Sequence, residues 1–208
     1  MKNTKRFWDK ISSRYDSQVY LKHLEGYNKT INMTRNYLKT TDVVLDFACG
    51  TGVTTIELSK NVERIEAIDI SENMIDIAKC KSVQRDISNI CFDVATIYDK
   101  RFIKESFDVV IAFNILYLME DMDNVIQRIY ELLKPNGIFI SSTNCLGEKN
   151  SLTIMIQSLL SKIGVIPFIR RLKISELEGI IKGSNFSIMQ THKFNESVPN
   201  YYIISRKK

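Results

Sequence analysis

The chain has 208 residues with 44% hydrophobic and 25% charged side chains and a formal net charge of +5, and that balance fits one soluble domain. It argues against wholesale disorder, and a charge this small, carried partly by the two termini, argues against the basic stripe of a dedicated nucleic-acid binder. The cysteines Cys49, Cys80, Cys91 and Cys145 form no C-x-x-C pair and the only histidines are His23 and His192, so no metal site is expected and reduced thiols in a cytoplasmic protein are.

Taken from the N-terminus, "MKNTKRFWDKISSRYDS" carries positive charge with no apolar core behind it, so no secretory signal is expected there. Phe7, Ile11 and Tyr15, then Tyr20, Leu24, Tyr27, Ile31 and Leu38, recur at helical spacing and predict a helical cover over residues 1–40. "KTTD" ends it. A cofactor-binding core over 41–142 follows, with strands predicted at Val43–Phe47, Ile65–Ile70, Ile90–Asp93, Phe107–Phe113 and Gly137–Ser142. Helices are predicted between them at Val53–Lys60, Glu72–Lys79 and Asp123–Leu133, with Ser71 as an N-cap. Runs such as "VVIAF" suit strands buried on both faces, so the expected fold is a doubly wound, Rossmann-like α/β sheet with helices on both faces.

After Ser142 the alternation stops. Residues 143–172 read as a lid-like insertion, with the apolar "LTIMIQSLLSKIGVIPFI" followed by Arg170, Arg171 and Lys173. A wall for a substrate pocket is the expectation, and peripheral contact of 152–171 with a lipid surface is its competitor. Residues 173–208 close the chain with a helix at Ser175–Lys182 and strands at Phe186–Thr191 and Tyr201–Ser205.

The chemistry concentrates in "VLDFACGTGVTT". Gly50 and Gly52 could open a dinucleotide fingerprint, but Thr55 stands where its third glycine belongs. No Lys-Ser/Thr pair follows, so this is not a nucleotide-phosphate loop either. Asp46 at the end of the first strand repels a pyrophosphate and suits a cationic group. Asp69, in "EAIDIS" at the end of the second strand, is placed to accept hydrogen bonds from a ribose diol. An adenosyl group with a cationic end satisfies both carboxylates.

With "VLDFACGTG", "EAIDIS", "CFDVA", "SFDVVIAFNILYL" and "LLKPNGIFI" in that order, the chain resembles the class I S-adenosylmethionine-dependent methyltransferases over roughly Tyr37 to Ser142. The leader "FWDKISSRYD" is similar to that of the ubiquinone/menaquinone-type small-molecule members. The resemblance implies a seven-stranded sheet whose last strand, in "PNYYIISRK", is antiparallel, and S-adenosyl-L-methionine as cofactor. It implies that Asp46, Ala48, Gly50 and Gly52 hold the methionine moiety and that Asp69 binds the ribose. Ile70 and Met74 would lie along the adenosine, Asp93 and Val94 at the adenine, Asn114 beside the sulfonium, and Tyr15 close to the cofactor. Ala48 departs from the family's commoner glycine. For catalysis no base is assigned; His23, Asn114 and Tyr117 are the candidates.

The expected activity is methyl transfer to a small-molecule N, O or C nucleophile. A non-catalytic cofactor-binding scaffold is the alternative, and an RNA or a lipid or quinone acceptor is a lesser one.

Overall fold

The computed structural model describes residues 2–194 and 200–208. Five parallel strands form the first part of a seven-stranded sheet: β1 (Val43–Phe47), β2 (Arg64–Asp69), β3 (Ile90–Val94), β4 (Phe107–Phe113) and β5 (Leu133–Asn144). β6 (Phe186–Lys193) and β7 (Asn200–Lys207) complete it, and β7 runs antiparallel to both β5 and β6. Pro199, in the predicted last-strand motif, lies outside the described residues. The order is β3-β2-β1-β4-β5-β7-β6, so consecutive connections leave in opposite directions from β1 and β4. That reversal opens a crevice beyond the carboxyl ends of β1 and β4.

Both sheet faces are dry, which is why these strands are apolar throughout. On one face Leu45, Val110, Phe139 and Ile203 pack against α5 (Met122–Leu132) and α7 (Ile174–Gly183), which contribute Ile126, Ile129, Leu177 and Ile181. On the other, Val44, Ala67, Ile111 and Tyr202 meet α2 (Leu24–Arg35), α3 (Val53–Leu58) and α4 (Glu72–Gln84) through Ile31, Ile56 and Ile75. The buried Tyr202 hydroxyl is satisfied by Thr34 Oγ1 at 2.9 Å, tying β7 to α2.

Three elements differ from the sequence expectation. The helical cover contains turns that the two predicted runs do not show. It divides into α1 (Lys2–Tyr15), a π-helical turn at Asp16–Tyr20, a 3-10 turn at Leu21–His23 and α2. A π turn widens the helix locally and re-aims the side chains on either side of it. α4 runs past Lys79 to Gln84, because nothing stops it until Asp86 takes a left-handed conformation, φ 53°, just beyond the helix end. β5 begins at Leu133, before the "KPNG" turn: Leu133 pairs with Phe107 and Ile138 with Val109, so the turn sits inside the strand as a bulge. At its other end β5 takes in Thr143 and Asn144, the first two residues of the predicted insertion. α6 (Leu152–Lys162) follows, and none of the described helices is long and apolar enough to cross a membrane.

Candidate functional site

At the carboxyl end of β1 the backbone turns sharply through Ala48, Gly50 and Gly52, at φ 63°, 56° and 73°. The two glycines serve different ends. A Cβ on Gly52 would lie 2.9 Å from Ala78 Cβ and 3.1 Å from the Phe92 ring, so this glycine lets α4 and the sheet close on the turn. A Cβ on Gly50 would meet nothing within 4 Å, so here the bare backbone faces open space. Ala48 holds the left-handed conformation despite its methyl group, at the position where the resembling family more often has glycine.

Two carboxylates flank this turn. Asp46 is buried, and among the described residues its one side-chain hydrogen bond comes from Thr55 Oγ1, which donates to Oδ2 at 2.6 Å. Burial raises its pKa from 3.8 to about 6; the Thr55 bond opposes the shift and the Asp69 charge adds to it. A half-satisfied buried carboxylate beside exposed backbone suits a cationic group. Asp69 accepts from Gly50 N at 3.0 Å and from Ser71 N at 2.8 Å, and burial also raises its pKa. Ser71 in turn caps α4, accepting from Met74 N at 3.2 Å.

The N-terminal cover closes over these groups. Asp9 on α1 accepts from Ser71 Oγ at 2.6 Å, and its carbonyl accepts from Asn73 Nδ2 at 3.1 Å. In the π turn, Asp16 accepts from Thr51 Oγ1 at 2.6 Å and forms an ion pair with Lys81, whose Nζ also donates to the Thr51 carbonyl at 3.1 Å. Beneath the cover lies a cavity of about 40 Å³, bounded by Asp46, Ala48, Cys49 and Gly50 below and by Tyr15, Tyr20, Tyr27 and Asn114 above and beside them. Sites for drug-sized ligands are roughly 300–1,000 Å³. The cavity as it stands is smaller than that.

The cavity wall mixes polar groups with Ala48, Val53 and Phe113, and among the described residues its one carboxylate is Asp46. The Tyr15 hydroxyl lies 3.3 Å from that of Tyr27, and Asn114 Nδ2 lies 3.5 Å from the Tyr27 oxygen, at the edge of hydrogen bonding. Burial pushes the phenols of Tyr15, Tyr27 and Tyr117 up, so all three stay protonated. Burial first, then Asp46 and Asp69, pushes the Cys49 thiol well above its usual range, which removes it as a nucleophile. Behind Asn114, at φ 56°, lies an amide cluster. Asn200 Nδ2 donates to Asn114 Oδ1 at 3.0 Å and to Asn144 Oδ1 at 3.2 Å, and Ser142 Oγ donates to Asn200 Oδ1.

Of the residues singled out in the sequence, Tyr15, Asp46, Ala48, Gly50 and Asn114 line the cavity, and Asp69 joins them through Gly50. Ile70 is half-buried and Met74 is buried in the first turn of α4. Gly52 stands behind the turn rather than in the cavity wall. Asp93 and Val94 also lie apart from the wall. Arg101 Nη1 donates to Asp93 at 2.8 Å and the same guanidinium meets Asp99 at 3.1 Å, while Val94, the register partner of Asp69, is exposed on the edge strand. His23 is exposed in its 3-10 turn and does not line this cavity. Tyr117 faces the cluster of Tyr27 and Asn144, and its carbonyl accepts from Arg170 N at 2.8 Å. No residue of 143–172 lines the cavity. Sequence reasoning missed Tyr20, Tyr27, Asp16, Asn144 and Asn200. The tyrosines share the spacing of ordinary core positions, and the asparagines meet only through strand pairing.

A Rossmann-like sheet with this strand order, a glycine turn after β1, a buried carboxylate at the end of β1 and another ending β2 define a cofactor-binding α/β enzyme domain. Residues 38–186 match the methyltransferase domain family. The chain belongs to that family, the class I S-adenosylmethionine-dependent methyltransferases, whose cofactor is S-adenosyl-L-methionine. It is 26% identical over 141 residues to the malonyl-[acyl-carrier protein] O-methyltransferase of Priestia megaterium, covering 67% of this chain and 50% of that protein. It is 38% identical over 97 residues to the demethylmenaquinone methyltransferase of Lactococcus lactis, covering 45% and 38% respectively. The chain thus spans about half, or less, of the length of these curated relatives. In fold it is similar to Haemonchus contortus phosphoethanolamine N-methyltransferase 2, solved with S-adenosyl-L-methionine, with a TM-score of 0.72 and 17% identity over 87% of this chain and 52% of that one.

Proposed function

We propose that this protein transfers the methyl group of S-adenosyl-L-methionine to a small molecule bound between the N-terminal cover and the loop after β4. The methionine end lies against Asp46, Ala48 and Gly50, the ribose at Asp69, and the adenosine along Ile70, Met74 and Val94, with Asp93 beside it. When bound, the cofactor supplies an electrophilic methyl carbon on a sulfonium. The protein's own part is to hold that carbon in line with the acceptor and to exclude water. Orientation of this kind can lower a barrier by roughly 7–11 kcal/mol.

The observation that carries this reading is a cavity walled by neutral Tyr15, Tyr27 and Asn114 opposite the Asp46–Gly50 turn, with no histidine in its lining and with Asp46, its one lining carboxylate, engaged by the cationic cofactor end. Such a wall favours an acceptor that presents its lone pair already free: a carboxylate, phenolate, enolate or uncharged amine. Neutral phenol and amide donors then hold the acceptor rather than deprotonate it. Tyr117 acts as a positioning residue through Asn144. The acceptors named for two relatives, a malonyl group and a demethylmenaquinone, include a carboxylate and a ring system of this kind.

The test is transfer of isotopically labelled methyl from the cofactor to a panel of carboxylates, phenols and amines. Label should appear in at least one class and should vanish in Asp69→Ala, whose side chain is outside the acceptor wall. Cofactor binding without transfer to any member of the panel would favour a scaffold instead.

A further inference from the structure

α6 presents an apolar stripe to solvent rather than to the protein. Leu152, Met155, Ile156, Leu159 and Ile163 fall at i, i+3, i+4, i+7 and i+11, within a sector of about 100° at helical periodicity. Each is exposed, from 49% at Ile156 to 73% at Leu152, and the helix buries only Ile154 against the fold. Val165 continues the patch at 60% exposure. A soluble helix ordinarily turns such a stripe inward.

The charge around it has one sign. From Lys149 to Lys173 the chain carries Lys149, Lys162, Arg170, Arg171 and Lys173 and no Asp or Glu. Among the described residues Lys149, Lys162 and Lys173 have no carboxylate partner, and Arg171 meets the uncharged Asn150; only Arg170 is paired, with Glu176 at 2.6 Å. The base of the segment is nevertheless anchored. Leu172 is fully buried, its carbonyl accepts from Gly147 N at 2.8 Å, and Ile169 N donates to Ser161 Oγ at 2.8 Å. The patch is therefore held out on a fixed mount, not on a loose tail.

We propose that residues 149–173 dock the protein on an anionic lipid bilayer, with the α6 stripe seated among the acyl chains and Lys149, Lys162, Arg171 and Lys173 on the lipid phosphates. A helix that combines an apolar face with basic flanks and no acidic residue binds an interface of that charge. The inference is independent of the methyl-transfer reading. It also has a consequence for the site, because the docking segment reaches the Tyr117 carbonyl through Arg170 N.

The experiment is sedimentation of the full chain with vesicles of phosphatidylcholine alone or mixed with phosphatidylglycerol, at low and high salt. The wild type should sediment with the mixed vesicles, be released by salt, and stay in solution with phosphatidylcholine alone. Leu159→Glu should abolish sedimentation, and Lys162→Gln should weaken it about fivefold, both with an unchanged circular-dichroism spectrum and melting temperature as the check on folding. Equal binding to both vesicle types, equal binding by Leu159→Glu, or no binding at all would overturn the proposal. So would light scattering that shows a dimer lost in Leu159→Glu, which would make the stripe a contact between copies of the chain.

Discussion

Asp46 is a carboxylate folded into a place that favours its proton. Its pKa rises on folding from 3.8 to about 6, so the unliganded fold holds an advantage below the unfolded value and loses it as the pH climbs through 6. At about 1.4 kcal/mol per pK unit the loss amounts to about 3 kcal/mol. A cationic cofactor end reverses the preference by favouring the carboxylate. Affinity for S-adenosylhomocysteine should then be flat above pH 6 and fall about tenfold per pH unit below it, which calorimetric titrations across the range would record. Asp46→Asn should remove the dependence. At Ala48 the left-handed backbone costs about 1–2 kcal/mol for a residue with a Cβ, partly offset by the greater chain entropy that glycine loses on folding. Ala48→Gly should therefore raise unfolding stability by about 0.5–1 kcal/mol in urea titrations.

At the scale of elements, the N-terminal cover is the part that decides access. Asp16 holds the π turn to both Thr51 and Lys81, and its side chain is partly exposed, so solvent screening limits the link to about 1 kcal/mol. Asp16→Ala should speed amide hydrogen exchange over residues 2–23 about fivefold while leaving β1 and β4 unchanged. The strands and the glycine turn were legible because each obeys a local rule: apolar runs between turn residues, and φ > 0 where Gly50 and Gly52 fall. The division of the cover was not legible. Phe7, Ile11 and Tyr15 keep a four-residue step that becomes five at Tyr20, and a single odd step does not distinguish a π turn from an ordinary break; in the fold Thr51 and Lys81 hold Asp16 at that turn. The amide cluster of Asn114, Asn144 and Asn200 was hidden for a similar reason, since β7 reaches β5 only by a long return of the chain. Asp93, expected at the adenine, instead shares Arg101 with Asp99.

Taken as a whole molecule, the protein places a doubly wound sheet beneath an N-terminal helical cover, with an exposed basic and apolar segment beyond β5. The sheet fixes Asp46 and Asp69 on neighbouring strands, and the cover brings Tyr15 and Tyr27 down on them to leave about 40 Å³. Acceptor alignment and the pH response both depend on binding of the cofactor at this turn. Calorimetric titration of wild-type protein and Asp69→Ala with S-adenosylhomocysteine, with NAD in parallel, tests it most directly. The expected result is saturable one-to-one binding of S-adenosylhomocysteine by the wild type, its loss in Asp69→Ala, and no heat from NAD. Unchanged affinity in Asp69→Ala, or saturable binding of NAD in place of S-adenosylhomocysteine, would contradict the assignment of the glycine turn and its two carboxylates.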